Sequence, residues 1–119
     1  MHPYAIGVSY AGRALKSFFP SSKEHALRIA SWYIRLGYSV DLGIGQINYR
    51  NIQRLGLSLE VALDPCWNIV LSGVILEDCI NRYGRNSRAV DCYNKGGRAR
   101  GWSSYVYAVY SKYLSEVRR

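Results

Sequence analysis

The sequence is poor in the residues that mark several large protein classes. It has a single Met, three Pro and two His, and no apolar run approaches the ~20 residues needed to cross a bilayer. The start, Met1-His2-Pro3-Tyr4, is neither basic nor the lead into the apolar core of a signal peptide. Its three cysteines, Cys66, Cys79 and Cys92, form no CxxC or Cys/His cluster, so no metal site and no cofactor are expected. There is no repeat, linker or low-complexity tract. Acidic residues are few: eight Asp and Glu stand against sixteen Lys and Arg, a net charge of +8. Such a field attracts polyanions, whether nucleic acid, anionic lipid or bacterial cell wall, although a merely soluble basic surface gives the same count. No zinc-finger spacing, RNP aromatic pattern or basic zipper accompanies the charge, which argues against a nucleic-acid partner.

What remains is a chain of 119 residues, 49% hydrophobic and 20% charged, the composition of one globular domain, residues 1–119, with a real core. The turn signals predict a mainly α fold. Ser21-x-x-Glu24 has capping-box spacing, and Ala26, Leu27, Ile29, Ala30, Tyr33 and Ile34 follow at helical intervals up to Gly37. Tyr38 to Ile47 reads as a short extended segment or loop. Asn48 is expected to cap a helix over Tyr49–Leu55, ended by Gly56. Asp64-Pro65 announces a further helix, apolar almost all round from Cys66 to Ile80 and so expected in the middle of a domain. Ser87–Tyr93 forms a short helix, and Trp102, Tyr105, Val106, Val109, Tyr110, Tyr113, Leu114 and Val117 make the apolar stripe of a last one.

The odd cysteine count leaves at least one thiol without an intrachain partner. Cys66 and Cys79 on one helix would lie ~20 Å apart, beyond the ~7 Å that a disulfide tolerates. Cys79 with Cys92 is feasible and would leave Cys66 over; three buried thiols in a reducing compartment are the alternative.

Two clusters offer chemistry. Gly43-Ile44-Gly45-Gln46-Ile47-Asn48 combines glycines that let the backbone approach a ligand with two carboxamides suited to sugar hydroxyls or amides. It lacks the third glycine and the strand–turn–helix setting of a dinucleotide fingerprint. Cys92-Tyr93-Asn94-Lys95-Gly96-Gly97 presents a phenol and an amide at a helix end.

In this order, and separated by an Asp-Pro helix, the two clusters resemble the lysozyme-like lytic transglycosylases of the SLT family. The likeness is greatest to those accompanying type IV conjugation and type III secretion machines. The matching pieces are Pro3-Tyr4-Ala5-Ile6-Gly7-Val8, Asp41-Leu42-Gly43-Ile44-Gly45-Gln46-Ile47-Asn48, Asp64-Pro65-Cys66-Trp67-Asn68-Ile69 and Tyr93-Asn94-Lys95-Gly96. The resemblance covers nearly the whole chain, up to about Tyr110. The resemblance implies a lysozyme-like fold, a place in the periplasm or cell envelope, and peptidoglycan glycan strands as substrate, with secretion or conjugation proteins as partners. It implies that Gly45, Gln46 and Asn48 line the glycan cleft, that Tyr93 lies near the scissile sugar, and that Asn94 fixes the turn presenting it. Ser39 to Asn48 also looks like the STDYGILQIN segment of animal-type lysozymes. There the aspartate is the second carboxylate of a retaining glycosidase, which makes Asp41 a candidate either for that role or for fixing the loop.

In these families the general acid is a glutamate in an ESG-type motif, just ahead of the segment matching Pro3–Ile6. Glu24, Glu60, Glu77 and Glu116 stand elsewhere in sequence. The expectation is therefore a partial domain lacking its N-terminal catalytic helix, one that does not cut glycan as written. The alternatives are a non-catalytic peptidoglycan-binding relic and a muramidase using Asp41.

Overall fold

The computed structural model describes residues 2–95; the expected last helix, Trp102 to Val117, and Gly96-Gly97 lie outside the described residues. The order of elements is β1 (Ile6–Tyr10), β2 (Arg13–Phe18), α1 (Lys23–Arg35), β3 (Ser39–Leu42), β4 (Ile47–Asn48), α2 (Tyr49–Arg54), α3 (Leu59–Leu63), α4 (Pro65–Tyr83) and α5 (Ser87–Lys95). Helix predominates, as the turn signals predict. The chain divides into two compact units, one up to Asn68 and one from Ile69 onward.

The first unit is built on an antiparallel sheet of order β2-β1-β3-β4. Alternation along β1 and β3 turns Ile6, Val8, Val40 and Leu42 to one buried face. Ile47, Ile52, Ala26, Ala30, Ala62 and Leu63 complete that core, with α1 packed on β1, β3 and α3, and α2 on β3 and β4. Aromatic rings extend the contact between α1 and the sheet: Phe18 to Tyr33, Tyr33 to Tyr38 and Tyr38 to Tyr10, with centroids 5.5, 5.6 and 5.8 Å apart.

The β1–β2 hairpin was not expected from the sequence. Its two-residue turn, Ala11-Gly12, has positive φ at both positions, 51° and 80°, the type I′ arrangement usually announced by Asn-Gly or Asp-Gly. Strand β2 is exposed along nearly its whole length and so carries no apolar alternation. The α1 cap also differs by one position from expectation. Ser22, in extended conformation, accepts from His25 N at 3.1 Å, and Glu24 lies in the first turn rather than closing a box with Ser21. Helix α3, capped by Ser58 through Val61 N, is a further element without a forecast.

The Asp64-Pro65 start forms as its chemistry dictates. Asp64 Oδ1 accepts from Cys66 N and Trp67 N, both at 3.1 Å, and Pro65, which has no N–H to satisfy, takes the first helical position. Burial along α4 is one-sided rather than all round. Leu71, Ile75, Leu76 and Cys79 are buried, whereas Trp67, Val70 and Val74 are 54%, 51% and 48% exposed.

In the second unit α5 follows Asn86, whose Oδ1 accepts from Arg88 N at 2.9 Å. It buries Ala89, Val90, Asp91, Cys92 and Tyr93. Cys79 of α4 is bonded to Cys92 of α5, their Cα atoms 5.8 Å apart, and Arg82 Nη2 donates to Cys92 Sγ at 3.1 Å. Cys66 is a free, exposed thiol.

Candidate functional site

The Gly43–Gln46 segment is the connection between β3 and β4, and it folds as a tight turn in which Gln46 N donates to Gly43 O at 3.0 Å. Gly43 and Gln46 both have left-handed backbones, φ 73° and 46°. That conformation is costly for a residue with a Cβ, so Gln46 must be held there. Its own side chain supplies one tether. Nε2 donates to Ala5 O and to Gly43 O, each at 2.9 Å, and Ala5 O also accepts from Gly43 N at 2.9 Å. Both amide hydrogens of Gln46 are thus spent on backbone carbonyls, and Oε1 is the atom left to meet a ligand.

That oxygen lies over Gly7. A Cβ at Gly7 would be 2.7 Å from Gln46 Oε1 and 3.8 Å from Asp41 Oδ2, so the missing side chain makes the space that both acceptors face. Gly7, Asp41 and Asn48 are directly opposed across β1, β3 and β4, which puts them in one row of the sheet. Asn48 Nδ2 donates to Ser39 Oγ at 2.8 Å and to Asp41 Oδ1 at 3.0 Å, while its Oδ1 accepts from Arg50 N at 3.1 Å and caps α2. Asn48 is buried, and these three bonds engage both of its donors and its acceptor. Burial pushes the Asp41 carboxyl from 3.8 up to about 6, opposed in part by the Asn48 hydrogen bond. The row is therefore an acceptor pair, Gln46 Oε1 and Asp41 Oδ2, suited to hydroxyl or amide N–H donors.

On its other side the turn meets α4. Asn68 Oδ1 accepts from Gly45 N at 2.7 Å, and Nδ2 donates to Leu42 O at 2.9 Å and Ala62 O at 2.7 Å. The close approach requires Gly43: a Cβ there would lie 2.5 Å from Asn68 Nδ2.

The structure thus brings Asp41, Gly45, Gln46 and Asn48 together, with Ala5, Gly7 and Asn68 added to them. Tyr93, buried, and Asn94, half-buried, stand in the last turn of α5 in the second unit. Glu24, Glu60 and Glu77 are exposed on α1, α3 and α4. Among the described residues, no group of three His, Cys, Asp or Glu could hold a metal ion, and no helix is long and apolar enough to cross a membrane. Asn68 and Gly7 went without a role in the sequence. The available signal for Asn68 was a lone carboxamide in an apolar run, since a buried polar side chain is more informative than its apolar neighbours.

The sequence model of the Transglycosylase SLT domain matches residues 4–114. The chain belongs to this family. The SLT domain is lysozyme-like, and the matched stretch contains the whole β3–β4 turn and both ends of α4. Among curated relatives, the chain is 33% identical over 112 residues to the type IV secretion system protein virB1 of Brucella suis biovar 1, covering 87% of this chain and 46% of that protein. It is 37% identical over 62 residues to the invasion protein IagB of Salmonella typhimurium, covering 49% of this chain and 39% of the relative. The virB1 protein of Agrobacterium fabrum is 30% identical over 99 residues, covering 74% and 39%. This SLT chain therefore spans less than half the length of these relatives. No solved structure matches it.

Proposed function

We propose that this chain is a peptidoglycan-acting lytic transglycosylase domain of the cell envelope, which opens the wall locally for a secretion or conjugation machine. The observation that carries this is the match to the SLT domain along residues 4–114. The acceptor pair over Gly7 supports it, because glycan strands present hydroxyl and acetamido N–H donors. The reaction is cleavage of the β-1,4 bond between MurNAc and GlcNAc. A general acid gives its proton to the glycosidic oxygen, the C1–O bond breaks, and the 6-hydroxyl of the same MurNAc bonds to C1 and returns its proton to that acid. No water enters, and a 1,6-anhydro end results. Gln46 Oε1 orients the glycan, with Gly45 as part of the wall of the cleft and Asn48 acting through Asp41. None of Glu24, Glu60 and Glu77 is assigned as that acid, so the expectation stands that the chain as given does not itself supply the proton.

A second reading, a muramidase, is favoured by one observation: Asp41 is a carboxylate paired across the sheet with Gly7, over which Gln46 Oε1 lies. A retaining hydrolase needs such a group. The protein is to be incubated with insoluble peptidoglycan, and the pellet and the released fragments analysed. Co-sedimentation with fragments lighter by one water supports the transglycosylase. Fragments with reducing ends indicate the hydrolase. Binding without release fits a domain that lacks its acid as well as a wall-binding relic, and salt-sensitive binding to DNA in place of wall would overturn the proposal.

A further inference from the structure

We propose that Asn68 is a positioning residue of the glycan-facing turn, holding Gly43–Gln46 in the one backbone arrangement that leaves Gln46 Oε1 over Gly7. This rests on taking that turn as the glycan site. Asn68 is fully buried within the apolar first turns of α4, where an unpaired carboxamide would be heavily penalised. It is paired with the turn on both flanks. Leu42, whose carbonyl accepts from Nδ2, immediately precedes Gly43, and Gly45, whose N–H reaches Oδ1, immediately precedes Gln46. The two left-handed residues, Gly43 and Gln46, are therefore each adjacent to a residue that Asn68 grips. A third bond, to Ala62 O, fixes the carboxamide to the end of α3, so that it serves as a rigid post.

The Ala5 carbonyl performs the corresponding task on the opposite side, through Gln46 Nε2 and Gly43 N. With Asn68 gone, Gly45 N and Leu42 O lose the bonds it supplies, and Gln46 can relax out of the left-handed region. Oε1 would then leave the space over Gly7. A side chain that merely tied α4 to the sheet would lower stability on removal but leave the affinity of the folded protein unchanged.

Asn68→Ala and Asn68→Asp in the full chain separate the two roles. The measurements, made well below the melting temperature with the fold confirmed by circular dichroism, are the Kd for a soluble peptidoglycan tetrasaccharide and amide hydrogen exchange at Gly45. Asn68→Ala is expected to raise Kd at least tenfold and to speed Gly45 exchange by two orders of magnitude or more. Asn68→Asp keeps the acceptor for Gly45 N and loses the donors. It should retain Gly45 protection, bind weakly at neutral pH, and recover affinity as its carboxyl is protonated. A Kd for folded Asn68→Ala within twofold of the unaltered protein overturns the proposal. If the unaltered protein does not bind the tetrasaccharide, the glycan reading falls by itself. Gly45 exchange then decides the role of Asn68, and unchanged protection in Asn68→Ala overturns it. Should Asn68→Ala fail to fold, the pH dependence of Asn68→Asp binding relative to that of the unaltered protein, in which Asp41 also titrates near 6, carries the decision, and the absence of a difference counts against the proposal.

Discussion

The side-chain amide of Gln46 donates to the carbonyl of Ala5 at 2.9 Å, joining residues 41 positions apart. A residue chosen from sequence as a ligand contact is thus also a fastening of the sheet, and its two capacities are divided between its two amide atoms. Nε2 faces inward to the backbone, and Oε1 is left over Gly7.

Replacing Gln46 by Glu sets a carboxylate against the Ala5 and Gly43 carbonyls. Each carbonyl keeps its backbone bond, but the repulsion between oxygens and the two lost side-chain bonds should cost about 1–3 kcal/mol. Gly7→Ala should cost a similar ~1–3 kcal/mol, because its methyl must displace Gln46 Oε1. Since both changes act on one side chain, Gly7→Ala combined with Gln46→Glu should be non-additive by at least ~0.5 kcal/mol. Urea denaturation of the two single variants and the double variant measures this, and simple additivity would show that the two residues are not in contact.

Asp41 gives stability a definite pH dependence. Its folded pKa is raised from 3.8 to about 6, so the native state holds its proton more tightly than the unfolded chain does. The stabilisation is present in full below pH ~4 and is lost as pH rises through ~6, amounting at most to about 3 kcal/mol. Asp41→Asn should abolish that slope and be the more stable protein at pH 7. Thermal melts of both proteins between pH 4 and 7.5 test this, and parallel curves would refute it.

The second unit depends on its cross-link. Cys79 and Cys92 close a loop of sequence separation 13, for which chain entropy gives roughly 3 kcal/mol. Reduction, or Cys92→Ser, should lower the melting temperature by several degrees. A thiol reagent applied to the native, unreduced protein should modify Cys66 alone, the exposed free cysteine. Modification at all three positions, or an unchanged melt after reduction, would contradict the assignment.

Much of the helical part was legible because its signals are local. Asn48 and Asp64-Pro65 cap helices through atoms two or three residues away, a distance that sequence spacing reports directly. The candidate turn was legible for the same reason, its glycines and carboxamides being contiguous. The hairpin was not, because Ala11-Gly12 lacks the usual turn chemistry and β2 buries too little to alternate. Asn68 was not, because its partners at Leu42 and Gly45 lie 26 and 23 positions away. Only the folded chain brings a carboxamide of α4 to the β3–β4 turn. The cap falls on Ser22 and not on Ser21, a one-step displacement, since neighbouring serines offer the same hydroxyl.

Strand β2 ends the sheet, and among the described residues no further strand pairs with its outer side. Its row of backbone donors and acceptors is a ready template for a strand from another molecule, the usual first step toward aggregation. The chain answers with charge and irregularity: Arg13 and Lys16 stand on the exposed strand, and a break in register between Val8 and Ser9 interrupts the ladder beside it. The surplus of cations that first pointed outward to polyanions thus also works at home, keeping copies of the same molecule from joining edge to edge.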